Sequence, residues 1–106
     1  MIKKADFIIL IDGIDVIVEF SNHSKSRSMT REVTIQSILF ALQKQGIEEM
    51  LYAKNGEKVI VIDNGQKLSF VCEVYSSAGD ICISIITIWD DIDILHGNNQ
   101  RIIRIA

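Results

Sequence analysis

Residues 57–89, EKVIVIDNGQKLSFVCEVYSSAGDICISIITIW, decide the fold of this chain. The stretch holds three runs rich in β-branched and aromatic residues, each of strand length and each bounded by turn-forming residues. These runs are Glu57–Ile62, Lys67–Tyr75 and Ile81–Trp89. Asn-Gly pairs stand on both sides of the first run, and they favour turns because both residues tolerate positive φ. The stretch therefore predicts three consecutive strands of an antiparallel sheet.

The side chains of these strands alternate between two faces. In the second run, one face carries Leu68, Phe70, Cys72 and Val74. The third run is apolar on both faces, which predicts a central position in the sheet. Its two predicted faces are Ile81, Ile83 and Ile85 on one side, and Ile86 and Ile88 on the other.

Further strands are predicted on both sides of this stretch. Phe7–Ile11 and Asp15–Phe20 are apolar runs that flank the turn signal Asp12-Gly13, so they predict a hairpin. Near the end of the chain, Arg101–Ile105 predicts a short edge strand. Its charged side chains disfavour pairing of this edge with another chain.

Two helices are predicted between the hairpin and residue 57. The first runs from about Asn22 to Thr30, with Ser21 or Asn22 as its N-cap. The second begins after the N-cap Thr34 and ends at Gly46. Its apolar stripe has the i, i+3, i+4, i+7 spacing of a helix and consists of Ile35, Ile38, Leu39 and Leu42. Residues 47–54 fit either a short helix or an irregular link.

The predicted fold class is α+β: an antiparallel β-sheet of about four to six strands with a two-helix layer on one face. At 106 residues the chain is expected to form a single domain, residues 1–106. Its formal net charge of −3 disfavours a general nucleic-acid binder, which would need many cations against phosphate. No run of about 18 apolar residues is present, so no membrane partner is expected.

The chain has two cysteines, Cys72 and Cys82. A chain that begins with Met and carries no export signal favours reduced thiols and a cytoplasmic location. If the turn before the third run is centred on Ser77, the two cysteines lie opposite each other on one face. The favoured interpretation is a pair of small buried hydrophobes, although the sequence leaves their pairing open.

A basic segment, Ser21–Arg31, stands out in this otherwise apolar and mildly acidic chain. In a helix, His23, Arg27 and Arg31 fall at i, i+4 and i+8 and therefore stack along one side. Histidine can exchange a proton near neutral pH, and guanidinium groups can hold a phosphate. The alternative interpretation is a solvated helix that happens to be basic.

Metal-free RNA cleavage needs a base for the 2′-hydroxyl, an acid for the leaving 5′-oxygen and cations for the phosphate. His23, Arg27 and Arg31 supply part of this set, and Lys25 adds a cation that could bind substrate. Thr87 could orient the phosphate by hydrogen bonding. Candidates for the second proton-transfer group are Tyr75, Glu73 and His96.

An acidic cluster follows the third strand and consists of Asp90, Asp91, Asp93 and His96. Its spacing matches no metal-binding loop, so a solvated turn is the favoured interpretation and no metal is expected. No cofactor is expected either, because the chain lacks a Gly-x-Gly-x-x-Gly, a Walker loop and a His-Glu-x-x-His.

Residues 20–31, FSNHSKSRSMTR, followed by a capped apolar helix and three strands ending in ITIW at residues 86–89, resemble small toxin-like domains. These domains are grouped with the barnase, EndoU, colicin and RelE ribonucleases. Their usual motif is a histidine and two arginines at four-residue spacing, then a second helix and a β-meander with a late-strand threonine. The resemblance implies an acid/base role for His23, phosphate contacts for Arg27 and Arg31, and an active-site role for Thr87.

The expected function is therefore a metal-independent, ribonuclease-like toxin domain of a toxin–antitoxin or interbacterial system, with RNA as its partner. The alternative is a non-catalytic acidic binding protein, such as an antitoxin, an immunity protein or an inhibitor from a phage or mobile element. The acidic composition favours the alternative, since such proteins mask basic partners. A homodimer paired through an exposed sheet edge is a third expectation.

Overall fold

A computed structural model describes residues 7–30, 33–92 and 100–106, with only the backbone described for Arg27, Met29 and Thr30. The elements that it describes are strands β1 to β6, helices α1 and α2 and one 3₁₀ helix. In chain order they are β1 Phe7–Ile11, β2 Ile14–Phe20, α1 Asn22–Thr30, α2 Ile35–Ala41, the 3₁₀ helix Ile47–Tyr52, β3 Glu57–Asp63, β4 Leu68–Ser77, β5 Asp80–Trp89 and β6 Arg101–Ile105.

The strands form one sheet in the order β1-β2-β5-β4-β3-β6. The predicted α+β class and the upper strand number are confirmed, but the prediction of an antiparallel sheet was wrong, because the sheet is mixed. β1–β2, β3–β4 and β4–β5 pair antiparallel, while β2–β5 and β3–β6 pair parallel. The parallel β2–β5 pairing arises because the helical segment between β2 and β3 returns the chain to the end of the sheet at which β2 began.

The helical segment covers one face of the sheet, called here the core face. Ile38 and Leu42 of the second predicted helix and Met50 of the 3₁₀ helix are fully buried against it. From the sheet, the fully buried apolar residues of this face are Val16, Val18, Val59, Val61, Phe70, Cys72, Ile83, Ile85 and Ile88. Burying such side chains contributes about 1.5–3 kcal/mol each, which makes this layer the main source of stability.

Both predicted tight turns of the hairpins β1–β2 and β4–β5 form, but the second is placed differently. Asp12 and Gly13 adopt φ of 51° and 77° between the paired Ile11 and Ile14, as predicted. The β4–β5 turn is the two-residue loop Ala78-Gly79, with φ of 52° and 85°. Positive φ at both positions is the signature of a type I′ turn, whose twist suits a hairpin.

This turn excludes the arrangement in which Cys72 faces Cys82, which was expected only for a turn centred on Ser77. With Ala78-Gly79 at the tip, Cys72 pairs with Ile85 and Cys82 pairs with Tyr75. The turn centre lies one and a half residues beyond Ser77, and this shift changes which residues share a face, because side chains alternate with a period of two. Cys72 therefore lies on the core face and Cys82 on the opposite face, called here the second face. Neither cysteine is in a disulfide.

A β-bulge in β5 breaks the predicted alternation of its isoleucines. Cys72 pairs with Ile85 and Val71 pairs with Thr87, so Ile86 is the extra residue. The bulge brings Ile88 onto the core face with Ile85, where both are fully buried. The prediction that Ile88 shares the face of Ile86 was therefore wrong, since a regular period of two holds only in an unbulged strand.

The helices follow the sequence pattern at their starts more closely than at their ends. α1 has the predicted bounds, and the Oγ1 of the N-cap Thr34 accepts a hydrogen bond from the Ser37 N–H at 3.0 Å. α2 ends at Ala41 rather than near Gly46, because the next turn tightens into i→i+3 hydrogen bonds. Gly46, with φ of 100°, instead precedes the 3₁₀ helix, which resolves the alternatives left open for residues 47–54.

Candidate functional site

The basic helix α1 is anchored to β5 by a serine cap. The Ser21 N–H donates to the Ile85 carbonyl at 3.0 Å, and the Ser21 Oγ donates to the Ile86 carbonyl at 2.9 Å. The same Oγ accepts from the Ser24 N–H at 3.0 Å, which makes Ser21 the N-cap of α1. The anchor therefore fixes the first turn of α1 against the strand that carries Thr87.

Serines also form the side of α1 that packs inward. Ser24 is fully buried, and its Oγ donates to the Ser21 carbonyl at 2.8 Å. Ser28, one turn later, is half-buried and donates to the Val33 carbonyl. Small side chains at this spacing allow the helix to approach β5 closely, and their hydroxyls satisfy backbone carbonyls at the buried side.

His23 and Lys25 lie on the exposed part of α1. Arg27 lies in the same helix, four residues after His23, and its side chain is outside the described part of the chain. Arg31 lies outside the described residues. The structure therefore places one histidine and one lysine at the solvent-facing surface of the anchored helix.

Thr87 lies on the second face of β5, half-exposed and paired with Val71 of β4. It directly follows Ile86, the bulged residue that accepts the hydrogen bond from Ser21. The last β2–β5 pair is Phe20 with Ile85, so α1 takes the place of β2 beside β5 from this point onward. The bulge thus brings the start of the basic helix and Thr87 to the same end of the sheet.

Tyr75 lies elsewhere on the second face. It pairs with Cys82, five residues before Thr87, which corresponds to about 15 Å along the strand. Its hydroxyl donates to Glu19 Oε2 at 2.9 Å. Burial raises the pKa of Tyr75, and the neighbouring Glu19 carboxylate raises it further. The phenol therefore stays protonated at neutral pH and cannot act there as a base.

The remaining acid/base candidates are Glu73 and His96. Glu73 is half-buried on the second face and faces Ser84 of β5. His96 lies outside the described residues. Glu19 was not predicted as a site residue, although a carboxylate in an otherwise apolar strand is a usable signal. It is buried, with 7% of its surface exposed, and it fixes the orientation of Tyr75.

The acidic segment after β5 is described only in part. Asp90 and Asp91 are exposed, while Asp93 and His96 fall outside the described residues. The Asp91 carbonyl accepts a hydrogen bond of 2.5 Å from the fully buried Ser69, so the chain turns onto the second face here. Within residues 7–30, 33–92 and 100–106, no group of three or more acidic, histidine or cysteine side chains could hold a metal ion.

A groove of about 350 Å³ lies between the β1–β2 turn and the end of α2. Its lining includes Leu10, Ile11, Asp12, Leu42 and Glu48. The exposed residues His23 and Lys25 of α1 do not line this groove.

The fold and the site define the chain as an α+β domain with a six-stranded mixed sheet and a basic helix anchored at the end of a parallel strand pair. Comparisons with protein-family models, with curated proteins and with solved structures find no match for it. No helix among the described residues is long and apolar enough to cross a membrane.

Proposed function

We propose that this chain is a metal-independent, ribonuclease-like toxin domain that cleaves RNA across the exposed surface of α1. The observation that carries the proposal is the serine anchor, which holds the helix of His23 beside the β-bulge that precedes Thr87. The resemblance of residues 20–31 to the toxin-like ribonucleases assigns the same residues. The proposed setting is a toxin–antitoxin or interbacterial system in the cytoplasm.

In the proposed reaction, the 2′-oxygen of one nucleotide attacks the adjacent phosphorus and the bond to the 5′-oxygen breaks. His23 takes the proton from the 2′-hydroxyl while solvent water protonates the leaving 5′-oxygen, or water accepts the first proton and His23 gives the second. Arg27, Arg31 and Lys25 hold the phosphate and balance its developing charge. The Thr87 hydroxyl orients a phosphate oxygen. Neither a metal nor another cofactor takes part.

A second candidate is a non-catalytic acidic protein that binds a basic protein partner, as an antitoxin or immunity protein does. The formal net charge of −3 favours this candidate. The pairing of Tyr75 with Glu19 favours it as well, because it leaves Tyr75 unable to act as the base at neutral pH. In this case His23 and Lys25 lie on a solvated helix without chemical function.

The test is bacterial growth after induction of the wild-type chain, with total RNA examined on a gel. The informative variants are His23→Ala and Arg27→Ala. Asn22→Ala is the matched control for His23, because Asn22 is the adjacent exposed residue of α1. Arg104→Ala is the control for Arg27, because it removes one exposed cation from β6 at the far edge of the sheet.

Growth arrest and RNA fragmentation are expected for the wild type and both controls, with about a hundredfold less cleavage in His23→Ala. Normal growth with intact RNA in every strain, at equal amounts of folded protein, would reject the ribonuclease proposal. Pull-down of a basic protein by wild type and His23→Ala alike would then support the second candidate.

A further inference from the structure

The chain contains two Asn-Gly pairs, Asn55-Gly56 before β3 and Asn64-Gly65 after it. Asparagine in such a pair can lose its side-chain amide without an enzyme. The main-chain nitrogen of the next residue attacks the side-chain carbon, and glycine has no Cβ to hinder this attack. All four residues are exposed, so burial does not distinguish the two sites. The hydrogen bonds around the two pairs do distinguish them.

Hydrogen bonds to β4 hold both reacting groups of the first pair. The Gly56 N–H donates to the Val74 carbonyl at 2.7 Å. The Asn55 Oδ1 accepts from the Ser76 N–H at 2.9 Å. The attacking nitrogen and the amide that it would attack are thus both fixed to the same strand. Because a hydrogen-bonded group reacts only when the structure opens locally, the fold protects Asn55 from deamidation.

The second pair lacks these restraints. Within the part of the chain that the structure describes, neither the Gly65 N–H nor the Asn64 side chain makes a hydrogen bond. Only the main chain of Asn64 is held, since its N–H donates to the Ile105 carbonyl at 2.8 Å. The Gly65 nitrogen and the Asn64 side-chain amide are therefore available for reaction in the folded protein.

We propose that Asn64 is a site of spontaneous deamidation, and that this modification releases the β3–β4 loop, residues 64–67, from β6. The Gly65 nitrogen gives its proton to hydroxide and forms a bond to Asn64 Cγ, while the side-chain nitrogen takes a proton from water and leaves as ammonia. Water then adds to either carbonyl of the cyclic imide and opens it to aspartate or isoaspartate. Both products carry a negative charge that asparagine lacks, and isoaspartate also lengthens the main chain by one carbon.

The β3–β4 loop packs tightly against the end of β6. A Cβ at Gly65 would lie 3.0 Å from the carbonyl carbon and oxygen of Ala106 and 3.0 Å from Lys44 Nζ. Lys44 Nζ itself donates to Asp63 Oδ1 and to the Ala106 carbonyl, at 2.7 Å each. An added main-chain carbon before Gly65 does not fit here unless Gly65 moves, so isoaspartate should break the contact of the loop with β6. This proposal does not depend on whether the chain cleaves RNA.

The test is incubation of the full chain at mildly alkaline pH, followed by tryptic digestion and mass spectrometry, with an unincubated sample as the background. Trypsin cuts after Lys54, Lys58 and Lys67, so the two asparagines fall in different peptides, residues 55–58 and 59–67. In the folded chain, Asn64 is expected to deamidate at least about tenfold faster than Asn55. In guanidinium chloride the two rates should agree within about twofold, because the protection of Asn55 is lost on unfolding. Equal rates in the folded chain would overturn the proposal, and so would a difference that persists in guanidinium chloride.

Two matched variants test the release of the loop. Asn64→Gln removes the reactive site, because glutamine must close a larger ring and reacts far more slowly, and Asn55→Gln makes the same change at the protected site. After incubation, wild type and Asn55→Gln should melt at a lower temperature than their own fresh samples, and the amides of β6 should exchange hydrogen faster. Incubated Asn64→Gln should match its fresh sample in both measurements. A wild type that carries isoaspartate at residue 64 with unchanged melting and exchange would overturn the release of the loop.

Discussion

At the scale of single residues, the most constrained polar group is the carboxylate of Asp63, which is fully buried. Its Oδ1 accepts from Lys44 Nζ at 2.7 Å and from the Gln66 N–H at 3.1 Å. Its Oδ2 accepts from Gln66 Nε2 at 2.8 Å, and the same amide group donates to the Ser37 carbonyl. The network links the β3–β4 loop to α2. Breaking it should therefore destabilise the packing of the whole helical layer.

Asp63→Asn is expected to lower the free energy of unfolding by about 2–3 kcal/mol at pH 7, because it removes the charge that Lys44 and Gln66 solvate. Chemical denaturation monitored by circular dichroism measures the loss. Glu57→Gln is the control, since it breaks the partly exposed Arg101–Glu57 pair at the sheet edge and should cost much less. An equal loss in the two variants would contradict the role of burial.

The same carboxylate should make stability depend on pH. Burial by itself would raise the pKa of Asp63, but the hydrogen bonds from Gln66 and Lys44 outweigh it and hold the pKa below the ordinary value of 3.8. Its contribution is therefore complete above that value and is lost as the pH falls through the lowered pKa. Between pH 6 and pH 3, wild type should lose more stability than Asp63→Asn.

At the scale of elements, the β4–β5 hairpin decides which side chains of the sheet share a face. Its tip demands positive φ at two residues, and Ala78 occupies the first of them with φ of 52°. Positive φ is sterically unfavourable for alanine, because its Cβ crowds the backbone. The hairpin keeps its register because a slip of β4 by one residue would move Cys72 and Val74 from the buried core face to the second face.

Ala78→Asn is expected to raise the free energy of unfolding by about 0.5–1 kcal/mol, since Asn tolerates positive φ and Asn-Gly is the preferred type I′ pair. Thermal melting should show a rise of a few degrees. Ser77→Asn, which changes the adjacent exposed residue at the end of β4, should have little effect. A decrease in stability for Ala78→Asn would show that the tip does not adopt the two-residue turn.

At the scale of the whole molecule, the sheet separates two thiols whose pairing the sequence left open. Cys72 lies fully buried in the core, and burial raises its pKa to about 12. Cys82 is 3% exposed on the second face. Because the sheet lies between the two side chains, no disulfide can join them without unfolding.

Both thiols are therefore expected to react with a thiol reagent only when the domain opens. The labelling rate should fall at least a thousandfold below that of the unfolded chain and should rise with denaturant for both cysteines together. Mass spectrometry of Cys72→Ala and Cys82→Ala measures each site separately. Rapid labelling of Cys82 alone would show that the second face opens independently of the core.

The sequence alone determined several segments whose signal is local. The Asp12-Gly13 turn, the start of α1, the Thr34 cap and the α+β class follow from φ preferences, capping and periodicity. The position of His23 on an exposed helix follows in the same way. These features depend on neighbours within a few residues, so a single chain carries enough information to predict them.

Only the tertiary structure decided the features that depend on distant partners. The parallel β2–β5 pairing and the bulge at Ile86 both depend on how distant strands pack beside β5. The contact of Tyr75 with Glu19 joins residues 56 positions apart. No local pattern specifies such pairings, because they are selected by the burial of the whole sheet against the helical layer.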